Sequence, residues 1–347
     1  MSPQRQTDHE FGVVITAKPE HFHWVRGTCA SVRYFMDDTP ICVIVDGERH
    51  PADLRRTYGV QTIMRADVEI PALRTLSFGS LKAKNAALWL SPFETFFLLD
   101  ADAIVWGDMR SLADFGRYDF VIDEPIGHLE EVRRSVMDVD VVGQHFPGFD
   151  ARSHRTEYVN TGAYFGRRGM LDVELYAELL HFSHHHPGAL YGDQGSFNFL
   201  LFSAADAGLV RLAQRPLQVQ TGRSLQEDVI RRFAIADGRP IVASEPVVLH
   251  WVSSPKPRVR QRGRDYFEPM TFFRMLFRAD SNGGRTRAQD ELWLRYEDAT
   301  CTDWRGTNLR GRSRKLKRRA GFRWAELKAG LRRRTPDRVV SAIKRRA

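Results

Sequence analysis

The sequence predicts an α/β protein, and three observations carry that prediction. Strand and helix signals alternate through the first half of the chain. Phe96, Phe97, Leu98 and Leu99 run straight into Asp100-Ala101-Asp102 and then into Ala103, Ile104 and Val105, the pattern of a buried strand at the centre of a parallel sheet. The strands before it each open onto polar or small residues at their C-terminal ends, the edge at which open α/β sheets bind ligands.

The elements follow in order. Phe11 to Thr16 reads as a first strand, and Pro19 signals the start of a helix over His21 to Tyr34. Ile41 to Val45 is a second strand, followed by a helix near Pro51 to Tyr58 and a short strand around Gln61 to Met64. Leu81 to Leu90 reads as a helix stopped by Ser91-Pro92. After the Phe96 strand come a strand at Tyr118 to Ile122 and another at Tyr158 to Gly166, interrupted by Asn160-Thr161-Gly162, where glycine suggests a bulge or a close backbone approach to a ligand. Met170 to Phe182 is amphipathic, and His184, His185 and His186 beyond it read as a solvated helix end. Asp193 falls near the start of a further helix, where capping is its ordinary role. Strands at Val210 to Leu212, Leu217 to Val219 and Pro246 to Val252 close the alternating part.

The chain has 347 residues, 42% apolar and 27% charged, enough to bury a large core in one large or two modest domains. No stretch approaches the roughly 18 to 20 apolar residues of a membrane span, and the first residues lack the apolar core of a signal peptide. The expectation is a cytoplasmic protein. The three cysteines, Cys29, Cys42 and Cys301, have no metal-type spacing and suit free thiols. The net charge of +9 belongs to a tail: residues 305–347 hold 17 Lys or Arg against Glu326 and Asp337, which leaves about −6 for residues 1–304.

Asp100 and Asp102 at a strand exit repel each other unless something positive lies between them. A hard divalent cation fits, because Mg²⁺ and Mn²⁺ favour carboxylate oxygens and bridge protein to substrate phosphates. The alternative is a turn with two solvated acids. Likewise a lone histidine such as His250 is more often a packed, hydrogen-bonded residue than a ligand.

Five features together resemble the metal-dependent, retaining glycosyltransferases of the glycogenin and lipopolysaccharide galactosyltransferase type. They are Lys84 before the metal strand, Asp100-x-Asp102, Asn160-Thr161-Gly162, Gly192-Asp193-Gln194-Gly195, and His250 leading to Lys256-Pro257. The resemblance covers roughly residues 11–257. It implies a GT-A type, Rossmann-like mixed sheet flanked by helices, with a C-terminal helical extension, and a nucleotide-sugar donor, usually a UDP-sugar. It implies Mn²⁺ (or Mg²⁺) held by Asp100, Asp102 and His250, and donor contacts from Thr16, Asp100, Ala101, Asn160, Thr161 and Lys256. Lys84, Asp193 and Gln194 take the catalytic positions around the sugar. Asp193 would stabilise an oxocarbenium-like sugar or attack it as a nucleophile. The chain departs from the family in having Ser253 where the His-x-x-Gly-x-x-Lys-Pro pattern has glycine, and Thr16-Ala17-Lys18 where a threonine-rich turn is usual.

The expected organisation is a catalytic domain over 1–257, an aromatic-rich helical extension over 258–304 and a basic amphipathic tail over 305–347. Phe322, Trp324, Leu327 and Leu331 interleaved with Arg323, Lys328 and Arg332 suit an interfacial helix on the inner face of an anionic membrane. Solvated disorder and nonspecific nucleic-acid contact are the other readings. The leading function is transfer of a sugar from a nucleotide-sugar to a glycolipid, polysaccharide or protein acceptor. The alternatives are a sugar nucleotidyltransferase, which would carry a Gly-rich phosphate loop after the first strand, and a nonenzymatic membrane or nucleic-acid adaptor.

Overall fold

The alternation of side chains along a strand sends neighbours to opposite faces, and the first strand, β1 (Phe11–Ala17), serves two cores in this way. Val13 and Ile15 enter one, Val14 the other. The computed structural model describes residues 10–301 apart from 80, 128, 243, 253–256, 258–265 and 283–285.

Among the described residues, β1 lies between β2 (Ile41–Val45) and β4 (Thr95–Asp100), parallel to both, with β3 (Gln61–Met64) outside β2. β4 is a buried central strand as expected, and the sheet around it is mixed, as the family resemblance implies. Its other neighbour, β7 (Ala163–Arg167), runs antiparallel and continues to β6 (Phe120–Ile122) and β8 (Leu212–Gln214), giving the order β3-β2-β1-β4-β7-β6-β8. The apolar run of β4 is continuous because both faces are covered: Phe97 and Leu99 join one core, Phe96 and Leu98 the other.

The Asp100-Ala101-Asp102 segment turns the chain out of this sheet into a second one. β5 (Ala103–Trp106) pairs antiparallel with β12 (Val247–His250), which pairs in parallel with β9 (Gln218–Gln220). A two-stranded ribbon of β10 (Ile235–Ala236) and β11 (Arg239–Pro240) completes the strands.

Helix α1 (Phe22–Met36) buries Val25, Cys29, Val32 and Met36, one face at helical spacing. Against it packs α9 (Glu268–Asn282), and a Cβ at Gly27 would meet Met270 Sδ at 2.5 Å. The aromatic residues Phe267, Phe273 and Phe277 are therefore core residues. On the other face, α6 (Val173–His185) and α7 (Gly192–Asp206) cover the sheet, and α7 is buried nearly all round from Gly195 to Phe202.

Several boundaries differ from expectation. Residues 81–90 are not one helix: Leu81–Ala86 is a 3-10 segment and only α3 (Ala87–Leu90) is α-helical. Asn160-Thr161-Gly162 does not interrupt a strand but forms the turn before β7. α6 runs past Phe182 to His185, so His184 and His185 form its exposed last turn and His186 its C-cap, the solvated helix end that was expected. The short helices α2 (Ala52–Tyr58), α4 (Leu129–Ser135), α5 (Val139–His145) and α8 (Gln226–Arg232) fill the connections, and the last three carried no sequence signal that we read.

The chain divides into two compact units, Met1–Arg285 and Thr286–Ala347. The second contains α10 (Arg287–Cys301), in which Trp293 Nε1 donates to Glu297 Oε1 one turn on, at 3.0 Å. Lys256 and the basic tail lie outside the described residues. Among the described residues no helix is long and apolar enough to cross a membrane.

Candidate functional site

Asp100 ends β4 and Asp102 begins the exit to β5, so the turn that joins the two sheets carries both carboxylates. Helix α1 holds that turn from below. Thr28 Oγ1 contacts the carbonyl oxygens of Ala101 at 2.9 Å and Ala103 at 2.7 Å, and Ser31 Oγ accepts from the Val105 amide at 3.1 Å. Ala101 is buried in the turn. The Trp251 amide donates to the Asp102 carbonyl, which brings the end of β12 alongside. β12 thereby delivers His250, whose Nε2 stands 3.3 Å from Asp100 Oδ2 and 3.7 Å from Asp102 Oδ1.

Asp100, Asp102 and His250 form, among the described residues, the group able to hold a metal ion, with their ligand atoms within 4.8 Å of one another. Burial works against a charged His250, but the two carboxylates outweigh it and push its pKa up to about 9. Two carboxylates and one imidazole suit a divalent cation of the Mn²⁺ type, so the residues fit the implied metal.

A second layer lies behind the first. Lys84 Nζ is 2.8 Å from Asp100 Oδ1 and 2.8 Å from Asp193 Oδ2. Burial opposes the Lys84 charge, yet the two carboxylates hold its pKa above the ordinary range. Burial would likewise raise Asp100, but Lys84 first and His250 second keep it below the usual carboxylate value. Asp193 sits in the first turn of α7 without capping it. Its Oδ2 instead accepts from Thr161 Oγ1 at 2.6 Å.

The Asn160-Thr161-Gly162 turn closes the site because its backbone is tied to Asp100, whose amide donates to the Gly162 carbonyl at 2.9 Å. Asn160 Nδ2 donates to Gln194 Oε1 at 3.0 Å, and Gln194 Nε2 donates to the Ser135 carbonyl at 3.0 Å. Gly162 is required by close approach: a Cβ there would meet the His250 ring at 2.2 Å. Thr16 lies beside Asp100 in the β1–β4 register.

The structure thus brings Lys84, Asp100, Asp102, Asn160, Thr161, Asp193, Gln194 and His250 into one network. It adds residues that sequence reasoning missed. Asn85 Nδ2 donates to the Asp193 carbonyl at 2.9 Å, and Asn198 clamps both the amide and the carbonyl of Val159 at 2.9 Å. Gln218 Oε1 lies 2.7 Å from His250 Nδ1, and the buried Asp123 accepts from the Leu217 and Gln218 amides at 3.0 and 3.2 Å. The one signal was compositional: fully buried polar residues such as Thr28, Ser31, Asn85 and Asn198 stand inside apolar helical stretches, and buried polar groups need partners.

No family model matches the sequence and no curated protein does. Solved structures do match. WbbM, a bifunctional glycosyltransferase, superposes with a TM-score of 0.54 at 12% identity over 85% of this chain and 53% of that one. An active-site mutant of LgtC gives 0.51 at 14% identity over 81% of this chain and 99% of that one. The galactosyltransferase LgtC with donor and acceptor sugar analogues gives 0.49 at 15% identity, over 80% and 98%. The chain has the GT-A fold. In GT-A terms, the mixed sheet is the seven-stranded one, and the candidate site lies where it hands over to β5 and β12.

Proposed function

We propose that the chain is a metal-dependent, retaining glycosyltransferase, moving a sugar from a UDP-sugar to a glycolipid, polysaccharide or protein acceptor. The observation that carries this reading is Lys84 held between Asp100 and Asp193, which couples the Asp100, Asp102 and His250 cluster to the first turn of α7. Lys84 thereby links the carboxylate that would hold a metal, Asp100, to the one that would face the sugar, Asp193.

When bound to Asp100, Asp102 and His250, a divalent cation supplies Lewis-acid stabilisation of the diphosphate leaving group. The family resemblance gives Lys256 the role of a fixed positive charge for the same oxygens, and Thr16 and Ala101 line the nucleoside side with Asp100. Asp193 stabilises positive character on the sugar ring. Two donors already converge on its Oδ2, which lowers its nucleophilicity and favours return of the acceptor on the leaving-group face. Asn160 and Gln194, linked to each other, orient the sugar hydroxyls.

The test is metal-dependent hydrolysis of UDP-, GDP- and ADP-sugars by the purified protein, wild type against Asp102→Ala, with and without EDTA. Nucleotide release from a UDP-sugar, abolished by EDTA and lowered at least about 100-fold by the substitution, is the expected result. Absence of release from any donor, together with absence of nucleotide binding by calorimetry in Mn²⁺, overturns the reading.

A further inference from the structure

Gln218 has no place in the reaction as proposed, yet its side chain ends on the candidate metal ligand. Its amide is oriented by backbone groups whose polarity is fixed. The Ser135 carbonyl accepts from Gln194 Nε2, so Gln194 presents Oε1 to Asn160 Nδ2. The Gly162 amide donates to Asn160 Oδ1 at 2.9 Å, which fixes the Asn160 amide the same way. Asn160 then shows Gln218 two acceptors, its Oδ1 at 3.2 Å and its carbonyl oxygen at 3.4 Å. Only the Gln218 NH₂ can face them, which turns Oε1 toward His250 Nδ1. An acceptor there requires a proton on Nδ1.

Two further contacts make the arrangement rigid. Asp123 holds the backbone at Gln218 through the Leu217 and Gln218 amides. Gly162 lies so close to the imidazole that a Cβ would overlap it, so the ring has one seat.

We propose that Gln218 is a positioning residue that holds the proton of His250 Nδ1 in a hydrogen bond and thereby presents Nε2 together with Asp100 and Asp102. A histidine ligand is oriented and made more basic by the partner of its other nitrogen. Here that partner is a neutral amide whose own orientation is relayed from the end of α4 through α7 and the Asn160 turn. The inference rests on the metal-dependent reading for its consequence, but not for the Nδ1 hydrogen bond itself.

The test combines ¹H–¹⁵N NMR of histidine-labelled protein with titration of Mn²⁺ followed by the EPR signal of the free ion. Wild type is expected to show a protected His250 Nδ1–H, both without metal and with Mg²⁺. Gln218→Met, which keeps the bulk and removes the acceptor, is expected to lose that protection from exchange and to bind Mn²⁺ about 10- to 100-fold more weakly. Gln218→Glu restores an acceptor and is expected to recover the protection and to bind Mn²⁺ more tightly than Gln218→Met. A protected Nδ1–H and wild-type Mn²⁺ affinity in folded Gln218→Met overturn the proposal, as does failure of folded Gln218→Glu to recover the protection. If wild type binds no Mn²⁺ while Nδ1–H is protected in wild type and exchanges freely in Gln218→Met, the positioning role stands and the metal-dependent reading fails.

Discussion

Each charged residue of the site is held by more than one neighbour, and the cost of burying it depends on those neighbours. Lys84 is tolerable because two carboxylates flank it, and removing one member of such a buried set is far costlier than never having built it. Asp123 is the contrasting case. It accepts backbone amides but has been pushed up to about 6, by burial that the hydrogen bonds from Gln218 and Leu217 only partly offset. Because its folded pKa lies above the unfolded value, its contribution to stability is present below the unfolded carboxylate range and is lost as pH rises through about 6. A shift from 3.8 to about 6 corresponds to about 3 kcal/mol. Asp123→Asn keeps an acceptor and removes the charge, so its unfolding free energy is expected to rise relative to wild type between pH 4 and pH 8, by about that amount. Urea unfolding of both proteins across that range checks it, and a pH-independent difference contradicts it.

Elements place the site more than local sequence does. The turn between β4 and β5 is irregular backbone buried against α1, and Thr28 supplies what its carbonyls need. Thr28→Val is isosteric but removes the one hydroxyl proton that the Ala101 and Ala103 carbonyls share, which costs about 1–3 kcal/mol. The expected outcome is a lower Tm and faster amide exchange concentrated in β5, and unchanged exchange there would show that the turn does not depend on α1. Little of this was legible in the chain. The strands β1, β2 and β4 were, because a doubly covered strand needs an unbroken apolar run, and Asp100 with Asp102 stood out against that run. The antiparallel entry of β7 was not, because pairing direction leaves no mark on a short apolar strand. Lys84 stood out only through the family resemblance, which set it on a helix, although it lies on a 3-10 segment. Thr28 and Gln218 were silent, since one polar residue on a helix face or in a short strand becomes informative only when its partner from another element is known.

Across the whole molecule, the ligand set joins residues from the middle of the sheet sequence to the last strand before α9. Asp100 and Asp102 come from the β4–β5 turn and His250 from β12, so an extended chain cannot present them together. A cation that binds the folded form and not the unfolded chain stabilises it by mass action, about 2.7 kcal/mol at a hundred times its Kd. For a unit of this size 1 kcal/mol moves Tm by only a few degrees, so Mn²⁺ is expected to raise Tm by roughly 5 °C at that excess. The shift is expected to grow with the logarithm of Mn²⁺ concentration, to be reversed by EDTA, and to vanish in Asp102→Ala. Thr28→Val provides the control at a different scale. It lowers Tm with and without Mn²⁺ while keeping the Mn²⁺-dependent increment, because it weakens the support of the turn without removing a ligand. Scanning calorimetry of the three proteins separates the two effects. An identical increment in wild type and Asp102→Ala would place Mn²⁺ binding elsewhere on the chain.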